Sequence, residues 1–314
     1  MRSALRSVVV ATSAVVALLG APVAAGAAEA DTRPDAGSEQ SDRTERPEQA
    51  GTTGADAAPA DTDQDEAVRT RSRTPIGYDV SHPQCGTDLP EDAAFAIVGV
   101  NGGLATRTNP CLADQLVWAA GSSGAVRSQP PLQLYLNTAN PGQVRDLVTT
   151  WPSRGRTPYG TCDSSNSMAC SWQYGWERAR TSVESFLRPA ARSVPLDSQP
   201  ARYTWWLDVE TMNTWQTGSD DARDRNRATL EGMTAYLLSE DAEVGVYSTS
   251  WQWGQIVGDV PAGSNLAGVD SWLAGADDLD DARDTCDEDP LVAGGSVTLV
   301  QYIEDDLDHN HACR

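Results

Sequence analysis

The sequence predicts an α/β protein, a (β/α)8-type TIM barrel whose helices are short or missing in the last third. Three observations carry that prediction. Short apolar runs alternate with longer amphipathic ones across residues 75–314, a rhythm that gives a parallel sheet covered by helices. About eight strand-like runs fit into that stretch, the number a closed barrel of this size uses. No Gly-rich phosphate loop of the G-x-G-x-x-G or G-x-x-x-x-G-K type occurs, so the structural rival, a doubly wound open sheet, has no nucleotide site to support it.

The elements follow in order. Residues 76–81 form the first strand candidate and residues 94–101 (AFAIVGVN) the second. Residues 112–120 have apolar positions at helical spacing. The third strand, residues 132–137, follows Pro130-Pro131, and a helix is expected over residues 172–188. Residues 203–210 read as the fourth strand. Residues 220–239 read as a helix, because Asp220 and Asp221 suit its N-terminal dipole and Leu230, Met233 and Leu237 form one apolar stripe. Residues 244–248, 271–274 and 297–302 are the fifth to seventh strands, and an eighth is placed at residues 307–310.

The chain before residue 75 has a different character. Arg2 and Arg6 precede an apolar stretch over residues 8–19, and Ala25-Gly26-Ala27 and Ala28-Glu29-Ala30 are small-x-small cleavage patterns. Residues 1–30 are therefore expected to be a secretory signal peptide. The apolar run is short for a membrane span, so no membrane anchor is expected after cleavage. No Cys follows that run, which argues against a lipid anchor. Residues 31–74 are an acidic, Pro-, Ala- and Thr-containing linker. All 20 aromatic residues lie between Tyr78 and Tyr302, so the linker has too little to bury and is expected to be disordered. Residues 75–314 are the expected folded domain, secreted to the exterior or the cell wall, and a monomer is expected.

The formal charge is −22, of which −18 falls on residues 75–314, and every basic residue is Arg. Nucleic-acid binding is disfavoured, since phosphates call for a basic surface. Six cysteines, Cys85, Cys111, Cys162, Cys170, Cys286 and Cys313, contain no C-x-x-C pair. An even count in an exported chain points to three disulfides. Spacing leaves the connectivity open; sequential pairing is the expectation.

Barrel enzymes carry their chemistry at the C-terminal ends of strands. Three such places stand out. In Trp205-Trp206-Leu207-Asp208-Val209-Glu210, alternation puts Trp206, Asp208 and Glu210 on one face. Two neighbouring carboxylates that are partly buried oppose each other's charge and raise one pKa, which suits an acid–base pair. A solvated strand end in an acidic chain produces the same pattern by chance. Asp79, ending the first strand, either faces the same mouth or caps a turn. Gln301-Tyr302 and Asp308-His309-Asn310 make the third place. Asp306, Asp308 and Asn310 share the opening spacing of a calcium loop, but His311 stands where that loop needs Gly, so no metal site is expected there or at the His309/His311 pair. No cofactor is expected. Aromatics surround these places, among them Tyr135, Tyr247, Trp251 and Trp272; flat rings suit sugar faces as well as cores.

In this order the segments GYDVSHPQCG (77–86), WWLDVE (205–210), VGVYSTSWQW (244–253), WLAG (272–275), QY (301–302) and DHN (308–310) resemble glycoside hydrolases of family 25, the lysozyme-type muramidases. They span nearly the whole folded domain. The resemblance implies a modified barrel that loses helices in its last third. It implies Glu210 as general acid, Asp208 as the partner that stabilises developing positive charge, and Asp79 and Asp308 as further carboxylates. It also implies Tyr135 and Tyr247 as residues that position an N-acetyl group, with Trp272 and Gln301 beside the substrate. The implied substrate is a polysaccharide, the β-1,4 link of peptidoglycan or a related N-acetylated glycan. Both a protein nucleophile and attack by the substrate's own acetamido group fit a D-x-E strand end. The chain departs from the family at the second strand end, Val100-Asn101-Gly102-Gly103 instead of a Lys-Ala-Thr-Glu-like run. It departs again at the third, Tyr135-Leu136-Asn137 instead of Tyr-His-Phe, and residues 151–176 have no counterpart. Two rivals stay open: a non-catalytic glycan-binding barrel, and a glycosidase of another class such as chitin. Against the chitin reading, Tyr203 stands where the D-x-x-D-x-D-x-E pattern has its first Asp.

Overall fold

The computed structural model describes residues 75–313, so the expected signal peptide and linker lie outside the described residues. Eight strands close a barrel: β1 (Gly77–Val80), β2 (Phe95–Gly99), β3 (Leu132–Asn137), β4 (Thr204–Asp208), β5 (Glu243–Ser248), β6 (Asp270–Ala276), β7 (Val297–Glu304) and β8 (Leu307–Ala312). Neighbours from β1 through β7 pair in parallel.

The last strand departs from the all-parallel sheet that the alternation predicts. β8 is antiparallel to both β7 and β1. The cause is local: Asp305 and Asp306 both have positive φ, 52° and 61°, the backbone of a two-residue hairpin turn that Asp tolerates better than most residues. A two-residue link cannot cross to the far end of the sheet, so the chain must reverse.

The helices are α1 (Leu112–Ala120), α2 (Met168–Thr181), α3 (Arg188–Ser193), α4 (Asp220–Ser239), α5 (Ser250–Ile256) and α6 (Leu279–Thr285). α2, α4, α5 and α6 each start on a side-chain cap, Ser167, Ser219, Thr249 and Asp278, whose oxygen accepts from a first-turn N–H. The expected helix at residues 172–188 is longer and interrupted: a wide turn over Ser182–Leu187 joins α2 to α3. Pro189 lacks the N–H an uninterrupted helix needs and would crowd the preceding turn, which the wider winding relieves. α5 and α6 have seven residues each against 20 in α4, and none separates β7 from β8. Among the described residues no helix is long and apolar enough to cross a membrane.

Apolar packing has two layers. Leu116, Leu134, Leu136, Trp205, Leu207, Leu230, Met233 and Val246 fill the space between strands and helices. Phe95, Ile97, Trp206, Tyr247, Trp272 and Leu299 fill the barrel itself. Inside the barrel, large rings sit over glycines on the neighbouring strand. The register pairs Gly77 with Phe95, Gly99 with Tyr135 and Gly245 with Trp206. A Cβ on those glycines would lie 2.2, 2.5 and 2.3 Å from the opposing ring. The missing side chains are therefore what lets the rings lie across the barrel.

The disulfides join Cys85 to Cys111, Cys162 to Cys170 and Cys286 to Cys313. The first ties the segment after β1 to the start of α1. The second ties a short hairpin, Gly155–Thr157 with Gly160–Cys162, to α2. The third anchors the end of β8 to the end of α6.

Candidate active site

The reversed β8 matters for the site. Its start, not its end, lies at the mouth formed by the C-terminal ends of the parallel strands: Asp308 is in register with Asp79, and Asn310 with Gln301. There the structure brings together the eight residues named from sequence for catalysis and substrate contact. Asp79, Tyr135, Asp208, Glu210, Tyr247, Trp272, Gln301 and Asp308 line one cleft of about 410 Å³. They come from seven of the eight strands or their ends; β2 contributes none.

The floor is aromatic. The Trp206 and Trp272 rings meet edge to face at 5.9 Å, and Tyr247 tilts against Trp272 at 4.4 Å. Trp206 Nε1 donates to Gln133 Oε1 at 2.8 Å, which fixes the indole in the barrel. The buried Trp272 indole N–H has no partner among the described residues, leaving a donor at the cleft wall.

Above this floor stand four carboxylates. Asp79 is buried and accepts from Gln301 Nε2 at 3.0 Å and from Asn310 Nδ2 at 2.7 Å. Gln301 is itself oriented, since its Oε1 accepts from the Tyr247 hydroxyl at 2.7 Å. Burial, and then the Asp308 charge, push Asp79 up to about 8 despite its two amide donors. Asp208 is raised well above the carboxylate range by burial and by the Glu210 and Asp79 charges. Burial also raises Glu210, while its hydrogen bond with Asp208 draws it back and Asp308 pushes it further up. Asp308 is raised by burial, with His309 acting against the shift. Such a group holds protons at a pH where isolated carboxyls would be ionised.

Glu210 is not on the strand face expected from alternation, because β4 ends at Asp208 and Glu210 stands on the turn beyond it. That turn is held through its carbonyls. Thr138 Oγ1 donates to Asp208 O, Ser248 Oγ to Val209 O at 2.6 Å, and Trp215 Nε1 to Glu210 O at 3.0 Å. Asn213 N closes the turn onto Glu210 O at 3.1 Å. Sequence reasoning missed Thr138, Ser248, Asn213 and Trp215 in this role. The only available signal was a hydroxyl residue at the ends of β3 and β5, which flank β4 in the barrel, and that needs the strand order to be read.

Several candidates lie elsewhere. Tyr302 and His309 alternate with the inward residues Gln301, Asp308 and Asn310 and stack on each other outside the barrel, His309 lying also against Tyr78. Trp253 is core, whereas Trp251 is exposed. Asn101 and Asn137, at the departing strand ends, bond to each other and to the surrounding scaffold. Asn101 Oδ1 accepts from Asn137 N at 2.7 Å, Asn101 Nδ2 donates to Ser182 Oγ at 2.9 Å, and Asn137 Nδ2 donates to Gly103 O at 3.3 Å. Among the described residues no group of three His, Cys, Asp or Glu side chains is arranged to hold a metal ion.

No family model matches the sequence, and no curated protein matches it. Two solved structures are similar to it. A muramidase from Trichobolus zukalii is 15% identical, with a TM-score of 0.44 over 77% of this chain and 94% of that one. A family GH25 lysozyme from Aspergillus fumigatus is 13% identical, with a TM-score of 0.47 over 76% of this chain and 93% of that one.

Proposed function

We propose that this chain is a secreted, monomeric glycoside hydrolase that cleaves β-1,4 links of peptidoglycan or a related N-acetylated glycan. The observation that supports the reading best is the convergence of Asp79, Asp208, Glu210 and Asp308 over an aromatic floor at the C-terminal mouth of a barrel. Apolar rings suit the faces of a sugar, and carboxyls kept protonated by burial supply the acid that glycosidic cleavage needs. Three disulfides fit an oxidising, extracellular setting.

In this reading Glu210 protonates the glycosidic oxygen. It is the most exposed of the cleft's acid pair and stands on a turn with its carbonyl fixed, so its carboxyl can meet a leaving group. Asp208 ends β4 two residues before Glu210, and the Glu210 charge helps to raise it. Asp208 stabilises the positive charge that develops at the sugar, by itself or through the substrate's own acetamido group, and Tyr135 and Tyr247 bound the N-acetyl group. The altered strand ends do not weaken the reading, because neither Asn101 nor Asn137 lines the cleft. The test is release of reducing ends from peptidoglycan by the wild-type protein and by Glu210→Gln. Loss of a general acid should slow turnover by about 10²–10⁴-fold. Equal rates would remove Glu210 from its role; wild-type binding without turnover would favour a glycan-binding barrel; turnover confined to chitin would change the substrate class.

A further inference from the structure

The turn that carries Glu210 is anchored at a distance from the cleft. Glu210 O accepts from Trp215 Nε1 at 3.0 Å, and Trp215 sits on a strap, residues 214–217, that belongs to no helix or strand. Without a ladder, the strap's backbone groups need other partners. Thr214 O accepts from Asn140 N at 2.8 Å. Gln216 N donates to Asn226 Oδ1 at 3.1 Å, and Asn226 Nδ2 donates back to Gln216 O at 2.9 Å. Gln143 clasps Thr217 in the same reciprocal way: its Nε2 donates to Thr217 O at 2.8 Å, and Thr217 N donates to its Oε1 at 3.1 Å.

The buried Gln216 side chain ties this strap to the stretch after β3. Its Nε2 donates to Asn140 Oδ1 and to Asn166 Oδ1, both at 2.8 Å. Its Oε1 accepts from Asn166 Nδ2 at 2.9 Å and from Arg225 Nε at 2.7 Å. Every donor and acceptor position of the amide is used, which fixes its orientation. Asn166 and Gln216 thus form a reciprocal amide pair. Gly142 lies against that pair, where a Cβ would stand 2.2 Å from Asn166 Oδ1 and 2.4 Å from Gln216 Nε2. Asn166 belongs to residues 151–176, the stretch without a counterpart in the resembled family, and lies in the loop closed by Cys162–Cys170. That loop is itself pinned: Trp151 Nε1 donates to Ser164 O at 3.2 Å, Ser165 N donates to Asp163 Oδ1 at 3.1 Å, and Ser167 caps α2. None of its residues lines the acid cleft.

We propose that Asn166 and Gln216 are positioning residues for the general acid, through which the disulfide-closed loop sets where the Glu210 carboxyl stands. The proposal rests on the hydrolase reading for the role of Glu210. The path runs from Asn166 to Gln216, along the strap to Trp215, and through the indole N–H to the Glu210 carbonyl. A buried polar network is rigid while every member is satisfied and fails as a unit when one is lost. Without Asn166, Gln216 loses a donor and an acceptor partner together, the strap slackens, and the acid's turn moves toward solvent. Burial is the main cause that raises Glu210, so a released Glu210 gives up its proton at lower pH.

The experiment measures peptidoglycan hydrolysis by wild type, Asn166→Ala, Trp215→Phe and the double variant, with Tyr159→Phe as control. Tyr159 is on the hairpin before the same loop, and its hydroxyl donates to Glu231 Oε2 on α4; its loss should lower Tm and leave kcat unchanged. Asn166→Ala should lower kcat by about 10- to 100-fold, the cost of about 1 Å of misplacement at a reacting group, with KM unchanged. It should also move the alkaline limb of the kcat/KM profile toward acid. In the Trp215→Phe background the link to Glu210 O is already cut, so Asn166→Ala should cost less than about 2-fold more. Full multiplication of the two effects, or an unchanged kcat in Asn166→Ala, overturns the path while leaving the hydrolase reading intact. Gly142→Ala wedges the amide pair apart without removing a hydrogen-bonding group, should lose kcat to the same extent, and decides the matter where Asn166→Ala does not fold. If wild type turns over no glycan, the hydrolase reading fails, and carboxyl NMR titration of Glu210, assigned with Glu210→Gln, decides the path separately. A lower Glu210 pKa in Asn166→Ala keeps it, and an unchanged one removes it.

Discussion

Gly99→Ala should damage both stability and activity, against the trend of β propensity. Gly99 has no positive φ, so Ala meets no backbone strain, and replacing a strand Gly ordinarily gains about 0.5–1 kcal/mol. Here the added Cβ would lie 2.5 Å from Tyr135 Cζ, 2.7 Å from its hydroxyl and 2.8 Å from Ser81 Cβ. Tyr135 must retreat by about 1 Å to reach ordinary contact. Overpacking of this kind costs about 1–3 kcal/mol. The overpacking exceeds the propensity gain, for a net loss of about 0.5–2 kcal/mol and a fall in Tm of about 2–8 °C. A 1 Å displacement in a positioned site can cost about 10²-fold in rate, so kcat/KM should fall by about 10- to 100-fold. Thermal melting and glycan hydrolysis read the two effects. The double variant Gly99→Ala/Tyr135→Leu should recover much of the stability and none of the activity. An unchanged Tm and rate in Gly99→Ala would refute the argument that the glycine exists to seat Tyr135.

The remaining predictions address charge and the reversed strand. Asp308 raises Glu210, so Asp308→Asn should lower the pH at which the acid loses its proton and move the alkaline limb of the kcat/KM profile toward acid; a shift the other way would disprove that coupling. Asp79 holds its proton up to about pH 8 when folded, against an ordinary 3.8. The folded state then binds more protons over that window, so stability should fall as pH rises from about 4 to about 8. Asp79→Asn should flatten that slope in Tm measured against pH, and an unaltered slope would show that Asp79 does not set it. Cys286→Ser/Cys313→Ser opens a loop with a sequence separation of 27 and should cost about 3.5 kcal/mol by loop entropy. Because it frees the end of the strand that carries Asp308 and Asn310, activity at a permissive temperature should fall as well. Melting and turnover of the double serine variant test both parts.

Much of the barrel is legible in the sequence because each strand announces itself locally. The runs at residues 132–137 and 220–239 match observed elements at both ends. The rest depends on information that is not local. The direction of β8 hangs on a two-residue turn, Asp305-Asp306, whose left-handed backbone no hydropathy pattern records. The break in the helix around residues 182–187 follows from Pro189, which the apolar spacing hides. The site is legible where the residue type carries the chemistry, as at Asp79, Asp208 and Glu210. It is illegible where an ordinary residue acts through a carbonyl: Thr138 and Ser248 become visible only once β3 and β5 are known to flank β4. Tyr302 shows the converse error, since proximity in sequence to Gln301 placed it near the site while strand alternation sends it outside.

The reversal of β8 also explains how a cluster of carboxyls can be assembled without collapsing the fold. A parallel eighth strand would bring only its last residues to the mouth. The antiparallel strand brings its first ones, and its period of two sends Asp308 and Asn310 to the same inward face. The two act on Asp79 in opposite senses. Asp308 opposes its charge, whereas Asn310 donates a hydrogen bond to it, as Gln301 does from β7. At the end of β4 the Glu210 charge, on the turn beyond the strand, likewise opposes that of Asp208. Asp79, the buried carboxyl that Asp308 opposes, thus has two neutral amide donors beside it, which limits the desolvation penalty of its charge. Replacing Asn310 by Leu would leave Asp308 in place but remove one of the donors on Asp79, so it should raise the Asp79 titration further and extend the stability slope to higher pH. A slope that stayed put would mean the amides are spectators and burial alone sets the protonation of the cleft.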